Sequence, residues 1–496
     1  MVKCIIELHN LFKPSTHLTF TIEMRVGLTY DDVLLVPKKT PLNSRSEANI
    51  KTLFTKNISL NIPLVSSNMA TVTEHKMAIA LAREGGLGVI HQFGTIEEQV
   101  KEVKKVKKST SYVIENPISI PPTVTIAEAV NTMKTEGVTS LLVKEQGELV
   151  GIFTSRDYLF ETDLSRNITE VMTPKNKLIT AKPNLPLEEV KQILHKHRIE
   201  KLPLLENGRV VGLITTKDIK KLEYWPNAAR DRKGRLLVGA AVGVKDTIER
   251  ANALIQAGAD VIILDLAHAH SDLVLRRIKE FKEYFPQIDL MVGNIATAEA
   301  AKDLLEAGAD GLKVGIGPSA VCTTRIISGS GVPQLTAVMD VVKVAKEYDV
   351  PVCADGGMKY PGDVAKAIAA GASTIFSGSF FAGTDEAPGL IIMKDGKRYK
   401  RYMGSASYDS NHERKENLEQ EAVKEKLDVY VEGVSILVDY KGSVREVISS
   451  LVKGLQSGIS YCGARNIPEM HKKAKFIQIT SAGWEESKSR GHKLSE

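Results

Sequence analysis

Short, mostly apolar runs recur along this chain, each introduced by a glycine that closes a helical pattern. Ala257-Gly258-Ala259-Asp260 precedes VIILD, Ala307-Gly308-Ala309-Asp310 precedes GLKVG, and Ala370-Gly371-Ala372-Ser373 precedes TIFSG. Glu84-Gly85-Gly86 precedes LGVIH in the same way. The stretches ahead of them, such as TAEAAKDLLE, are rich in Ala, Leu and Lys. Glycine suits the left-handed position past a helix end, and a short run without polar alternation reads as a strand buried on both faces. Repeated units of this kind predict an α/β protein with a parallel sheet, either doubly wound or closed into a (β/α)8 barrel. Polar or glycine-rich segments follow many of these strands: Asp265 with His268 and His270, Gly293-Asn294, Gly315 to Arg325, Asp355-Gly356-Gly357 and Gly378-Ser379. Chemistry-capable loops after so many strands favour the TIM barrel, whose strand ends converge on one face.

Between residues 111 and 224 the pattern changes to two copies of one unit, GIFTSRD ending at Asp157 and GLITTKD ending at Asp218. Each copy follows a helical stretch (IAEAVNTMKTEG, LEEVKQILHKHRIE) and a short strand (SLLV, LPLL). A duplicated unit too small for its own core is expected to pair with its copy. Asp157 and Asp218 read as caps of a following helix. The copies also resemble cystathionine-β-synthase-type repeats, and that resemblance implies that the same Asp residues accept from the ribose of an adenosine-like ligand. The chain thus divides into 1–110, the first part of the barrel, 111–224, a paired insert, and 225–496, the rest of the barrel with a flap and C-terminal segment. KEVKKVKK (101–108) reads as a solvated helix face, since no aromatic interleaves it as a nucleic-acid patch would require. Residues 1–23 give no signal.

Composition narrows this picture. With 496 residues, 43% of them hydrophobic, the chain has enough material for two to four domains and is not broadly disordered. Lys plus Arg exceed Asp plus Glu by 66 − 60 = 6, too dilute an excess to argue for nucleic acid. Cys4, Cys322, Cys353 and Cys462 lie far apart with no CxxC pair, which fits a reducing compartment better than a disulfide framework or zinc site. No apolar stretch approaches the ~18 residues of a membrane span. The expectation is a cytoplasmic protein without a membrane or nucleic-acid partner.

The segment KVGIGPSAVCTTR, Lys313 to Arg325, carries the most chemistry. A strand ends at Gly315, and a Gly/Pro loop then presents Cys322, Thr323, Thr324 and Arg325. Cys322 is either a nucleophile, with Arg325 favouring its thiolate, or an inert small hydrophobe. Cys353 in VPVCADGG and Cys462 in YCGA read as structural.

These motifs together resemble the IMP dehydrogenase/GMP reductase family. The resemblance runs from GLTYDDVLLVP through SSNMATVT, ILDLAHAHS, VGNIAT, GIGPSAVCTTR, GVPQLTAV, ADGGMKYPGD and SGSFFAGT to YKGSVREVISSLVKGLQSGISYCGA. The duplicated insert resembles cystathionine-β-synthase-type (CBS) repeats, which implies a regulatory purine nucleotide bound there. The resemblance implies that Cys322 is the nucleophile attacking C2 of a purine nucleotide, that Thr324 is a proton-passing hydroxyl, and that Glu432 stands behind it. Asp355 matches the carboxylate for the substrate ribose, and Gly357, Gly378, Ser379, Tyr402 and Gly404 match the substrate and phosphate cradle. Asp265 and Asn294 match the cofactor side. The carbonyls of Gly315, Gly317 and Cys322 match the potassium loop of members that use the ion. A homotetramer, or an octamer paired through the repeats, is also implied. Two departures stand out: Ser319-Ala320 replaces the usual Gly-Ser, and His268-Ala269-His270 replaces His-Gly-His.

Family dehydrogenases hydrolyse the covalent intermediate with an Arg-Tyr pair on a flap, and reductases need no such pair. Counting back from Glu432-Gly433 places that pair on Gln420-Glu421, and His412 and Arg414 are the only nearby substitutes. Asn68-Met69 also resembles the reductase branch. The resemblance therefore implies NADPH-dependent conversion of GMP to IMP and ammonia. IMP dehydrogenase with NAD is the alternative, and a catalytically silent purine-nucleotide sensor, motivated by the altered Ser319-Ala320 loop, the third reading.

Overall fold

Runs of four consecutive buried residues can be satisfied only where neighbouring strands take up every backbone group and helices or side chains cover both faces. The computed structural model describes residues 2–5, 21–109, 113–115, 117–183, 185–410 and 430–489, and in it these runs pair with one another. They form β1 (Leu64–Ser66), β2 (Leu87–Ile90), β3 (Gly239–Val242), β4 (Val261–Asp265), β5 (Asp289–Ile295), β6 (Gly311–Val314), β7 (Val352–Asp355) and β8 (Thr374–Ser377). All pairs are parallel and the sheet closes into a barrel, β8 returning to β1 with Ser377 opposite Ser66. Its wall is α1 (His75–Glu84), α2 (Ile96–Ser109), α3 (Thr247–Ala257), α4 (Asp272–Tyr284), α5 (Ala298–Glu306), α6 (Gln334–Ala345), α7 (Pro361–Ala369) and α8 (Val444–Tyr461). The predicted helix-closing glycines Gly85, Gly258, Gly308 and Gly371 all have φ between 102° and 110°. At Gly371 a Cβ would also come within 2.4 Å of Val342 Cγ1, so both conformation and space select glycine.

The chain divides into two compact units, one of residues 1–103 with 238–496 and one of residues 104–237. The strands flanking the insert, β2 and β3, pair directly, with Gly239 opposite Val89. Outside the barrel, strands Ile392–Lys394, Lys397–Met403 and Ser435–Asp439 make an antiparallel sheet, with Tyr402 opposite Ile436.

In the second unit the duplication extends to the details of pairing. Ser140–Glu145 with Glu148–Thr154 and Lys201–Glu206 with Arg209–Thr215 are hairpins of identical register, Val143 opposite Gly151 and Leu204 opposite Gly212, each with a shift at the next residue. Both turn through two left-handed residues, Gln146-Gly147 and Asn207-Gly208, the backbone that two-residue hairpins prefer. Asp218 lies in the first turn of helix Thr216–Glu223, where the Thr215 hydroxyl donates to its carboxylate at 2.6 Å and accepts from its N–H at 3.2 Å. Asp157 caps no helix; its carboxylate closes a turn on the Thr154 N–H at 2.6 Å.

The basic run departs from expectation at one residue. Lys101, Lys104, Lys105 and Lys108 are exposed, but Lys107 points inward, its ammonium on Asp231 at 3.2 Å and the Leu236 carbonyl at 2.9 Å. Lys107 is buried alongside Val103 and Val106, so this face of α2 is sealed as well as solvated. No described helix is long and apolar enough to cross a membrane.

Candidate active site

Asp265, Asn294, Gly315, Asp355 and Gly378 come from β4 to β8 and lie in or just past the strands' C-terminal ends. The barrel thereby gathers residues more than a hundred positions apart at one mouth.

The loop after β6 holds Cys322, part-buried, with its Sγ 3.1 Å from Thr324 Oγ1. Thr324 Oγ1 donates in turn to Glu432 Oε2 at 2.7 Å. A threonine hydroxyl has a single proton, and here the carboxylate takes it, so the thiol is the donor in the first contact. The three groups form a chain from Sγ through Oγ1 to Oε2. Backbone pairing fixes their spacing: Thr323 N–H donates to the Glu432 carbonyl at 2.8 Å, Val434 N–H to the Val321 carbonyl at 3.0 Å, and Cys322 bridges Gly433. Gly404 completes this packing rather than offering a contact, because its N–H goes to Val434 and its carbonyl takes the Ser410 hydroxyl. A Cβ on Gly404 would meet the Val321 carbonyl at 2.7 Å.

Arg325 interacts electrostatically with Cys322 and also has a structural part. Its guanidinium braces the loop, donating to the carbonyls of Ile316 at 3.1 Å and Val332 at 2.6 Å, and burial lowers its pKa while Cys322 works the other way. Gly317 at φ 79° makes room for it, since a Cβ there would lie 2.5 Å from Arg325 Cγ. The Gly315 carbonyl is likewise taken, by Asn294 Nδ2 at 2.6 Å. That bond takes one of the two lone pairs of the Gly315 carbonyl, and Arg325 is bonded to the Ile316 and Val332 carbonyls rather than to Gly317 or Cys322.

A second corner forms around Tyr402. Its phenol is buried and hydrogen-bonded to Ser319, and burial holds its pKa above the usual tyrosine range against that bond, so it stays protonated. A Cβ on Gly378 would come to 2.4 Å from Tyr402 Oη, 2.8 Å from Met69 Sδ and 2.9 Å from Ser67 Oγ, so these groups converge on bare backbone. The Ser67 hydroxyl is buried with no partner among the described residues. Gly357, at φ 81°, lies against Pro318 and Gln334 beside the same loop. The Ser379 carbonyl accepts from Lys441 Nζ at 2.5 Å. Ser319, one position before the expected serine, thus still delivers its hydroxyl to this corner.

The third feature is a charged cluster that the motif pattern does not announce. Lys313 on β6 is 2% exposed, with its ammonium 2.7 Å from Asp265 Oδ1 and 2.8 Å from Asp355 Oδ2, and bonded to Asn294 Oδ1 as well. Burial would lower this lysine's pKa, but the two carboxylates outweigh it and the net shift is upward. Asn68 Nδ2 donates to Asp265 Oδ2 at 2.8 Å, and Asn294 Nδ2 to Asp355 Oδ2 at 2.9 Å. Asp355 therefore keeps Oδ1 for a ligand, one oxygen rather than two. The one available signal in the sequence was a lysine inside an otherwise apolar barrel strand. Asp265 is part-exposed beside the exposed His268, while His270 is held by Asp303 at 2.8 Å. Cys353 is buried inside β7, its thiol pushed up to about 12 by burial, and Cys462 is also buried.

A (β/α)8 barrel with a relayed thiol and paired carboxylates at its mouth has the layout of an enzyme. Comparison with known proteins gives the class. A family described as the IMP dehydrogenase / GMP reductase domain matches residues 27–490. An inosine-5'-monophosphate dehydrogenase of Nitrosopumilus maritimus is 49% identical over 471 residues, 94% of this chain and 98% of that one. A GMP reductase of Leishmania donovani is 45% identical over 485 residues, 95% of this chain and 97% of that one. Among solved structures, a cysteine-to-alanine variant of Trypanosoma brucei GMP reductase in complex with guanosine 5'-monophosphate is similar at TM-score 0.81 and 43% identity, covering 95% of this chain and 99% of that one. The chain belongs to the IMP dehydrogenase/GMP reductase family and is an oxidoreductase.

Proposed function

We propose that this enzyme is a GMP reductase, converting GMP to IMP and ammonia with NADPH through a covalent adduct on Cys322. The observation that carries the reading is the Cys322–Thr324–Glu432 hydrogen-bond chain. Along it the thiol proton passes through Thr324 to Glu432, and the thiolate adds to C2 of GMP. The same proton returns through Thr324 to the 2-amino group, which leaves as ammonia as the thioimidate at C2 forms. The cofactor, when bound, supplies hydride to that carbon. Cys322 then departs as thiolate from IMP, and because its first proton left with ammonia it takes a new one from solvent through Glu432 and Thr324.

Asp355 Oδ1 accepts from the substrate ribose, and Gly357, Gly378, Ser379 and Tyr402, with Ser67 and Ser319, surround its phosphate with backbone and hydroxyl donors. Asp265 and Asn294 serve the cofactor side, where part-exposed Asp265 suits a ribose hydroxyl.

The second reading is IMP dehydrogenase, and relatives of that name at 49% identity favour it. The segment that separates the two on sequence, with His412, Arg414, Gln420 and Glu421, lies outside the described residues. We also propose that the 104–237 unit contains, over residues 111–224, a CBS pair binding a regulatory purine nucleotide. The unit holds a cavity of about 290 Å³ lined by Val113, Leu185, Leu204 and Ile214 with Glu115 and Lys233, apolar walls and polar edges that suit a nucleobase. A homotetramer or octamer in the cytoplasm completes the proposal. The test is turnover of GMP with NADPH against IMP with NAD; faster XMP formation would reject the reductase reading.

A further inference from the structure

The relay uses Cys322, Thr324 and Glu432, and leaves the buried ammonium of Lys313 without a part. Its surroundings are unusual for a lysine. It stands on a strand of the barrel wall with its ammonium 4.9 Å over the ring of Phe376, and Gly293 opposite leaves it room: a Cβ there would lie 2.5 Å from Lys313 Cβ. An ammonium has three protons, and Lys313 meets three acceptors, one each on Asp265, Asp355 and Asn294. None is left for a ligand. The two carboxylates stand on different strands, β4 and β7, and share this one cation; Asn68 fixes the far oxygen of Asp265 and Asn294 bridges to Asp355. Neither carboxylate can shift unless the ammonium shifts with it, and without the ammonium two part-buried negative charges would face each other unneutralised.

We propose that Lys313 is a positioning residue serving two ligand subsites at once: it holds the substrate-side carboxylate Asp355 and the cofactor-side carboxylate Asp265 in register. This rests on the reading that those carboxylates take the ribose hydroxyls of nucleotide and cofactor. Lys313 touches neither ligand and takes no proton in the reaction. Its loss is therefore felt in binding on both sides rather than in the chemical step.

The test measures binding of GMP and of NADP+ separately by calorimetry, and KM and kcat for GMP and NADPH, using the full-length enzyme. Wild-type protein comes first: if it binds neither ligand, the reading of the site falls and the proposal with it. Given wild-type binding, Lys313→Met is expected to weaken both ligands by about tenfold or more, with kcat reduced less than either KM rises. A shift in one ligand only, or a loss confined to kcat, overturns the proposal while leaving the site reading intact. Should Lys313→Met fail to fold, Lys313→Arg decides, because it keeps the charge but its planar fork cannot reproduce three convergent bonds. Both KM values are expected to rise together by about threefold or more. A rise in one alone, or in neither, overturns the proposal.

Discussion

Thr324 Oγ1 stands 3.1 Å from a thiol and 2.7 Å from a carboxylate, and that placement decides what each residue in the relay is expected to do when replaced. In the proposed mechanism Cys322 makes the covalent bond but little of the ground-state contact. Cys322→Ala should therefore abolish turnover while GMP binding stays within about tenfold, or about 1.4 kcal/mol, by calorimetry. Glu432→Gln and Thr324→Val interrupt proton transfer without removing the nucleophile. Each should lower kcat by about 10²–10⁴ with KM for GMP little changed, measured by steady-state kinetics. A KM effect without a kcat effect would mean that these residues shape the pocket instead. At this scale Cys322 and Thr324 were legible in the sequence because a strand end, a Gly/Pro loop and a nucleophile are contiguous. Lys313 was not, because its partners lie on three other strands and only barrel closure brings them together. Arg325 was legible as a cation near the thiol, with which it interacts electrostatically, but not as the brace that its bonds to the Ile316 and Val332 carbonyls make it.

Among the elements, the helix–glycine–strand units were readable because their local rules and their burial agree. The glycines at 85, 258, 308 and 371 are left-handed, as helix ends of this kind require. Gly371→Ala combines a φ of 106° with a Cβ 2.4 Å from Val342 Cγ1. It should cost about 1–3 kcal/mol, read as a lower midpoint in urea with an unchanged slope. No change in midpoint would show that α6 yields easily at Val342. The antiparallel sheet carrying Tyr402 was not readable as an element, since its outer strand Ile392–Lys394 is exposed at every position and lacks a burial pattern. The duplicated hairpins were readable, but the inward turn of Lys107 was not, because Asp231 meets it from far along the chain.

For the whole molecule, the groups proposed to be catalytic, Cys322, Thr324 and Glu432, lie in the unit of residues 1–103 and 238–496, and β2 pairs with β3 across the excursion. Replacing residues 111–224 by a short linker, which leaves α2 whole, should give a folded enzyme with kcat close to wild type. Any response to purine nucleotides should be lost with the insert. A folded but inactive deletion would show that the insert contributes to catalysis directly. The direction of the reaction is the central claim. Hydrolysing a covalent intermediate requires a strong base held against water, and general-base help is typically worth ~10²–10⁴ in rate. The sequence offers Gln420-Glu421 where the family's Arg-Tyr pair would fall, whereas in the proposed reductase the relay through Thr324 to Glu432 supplies the proton for departing ammonia. The most direct measurement compares initial rates of NADPH consumption with GMP and of NADH formation with IMP and NAD, on one enzyme preparation. GMP reduction faster by about 10²-fold or more is the expected result. Sustained multiple-turnover XMP formation at a rate equal to or above GMP reduction would contradict the account.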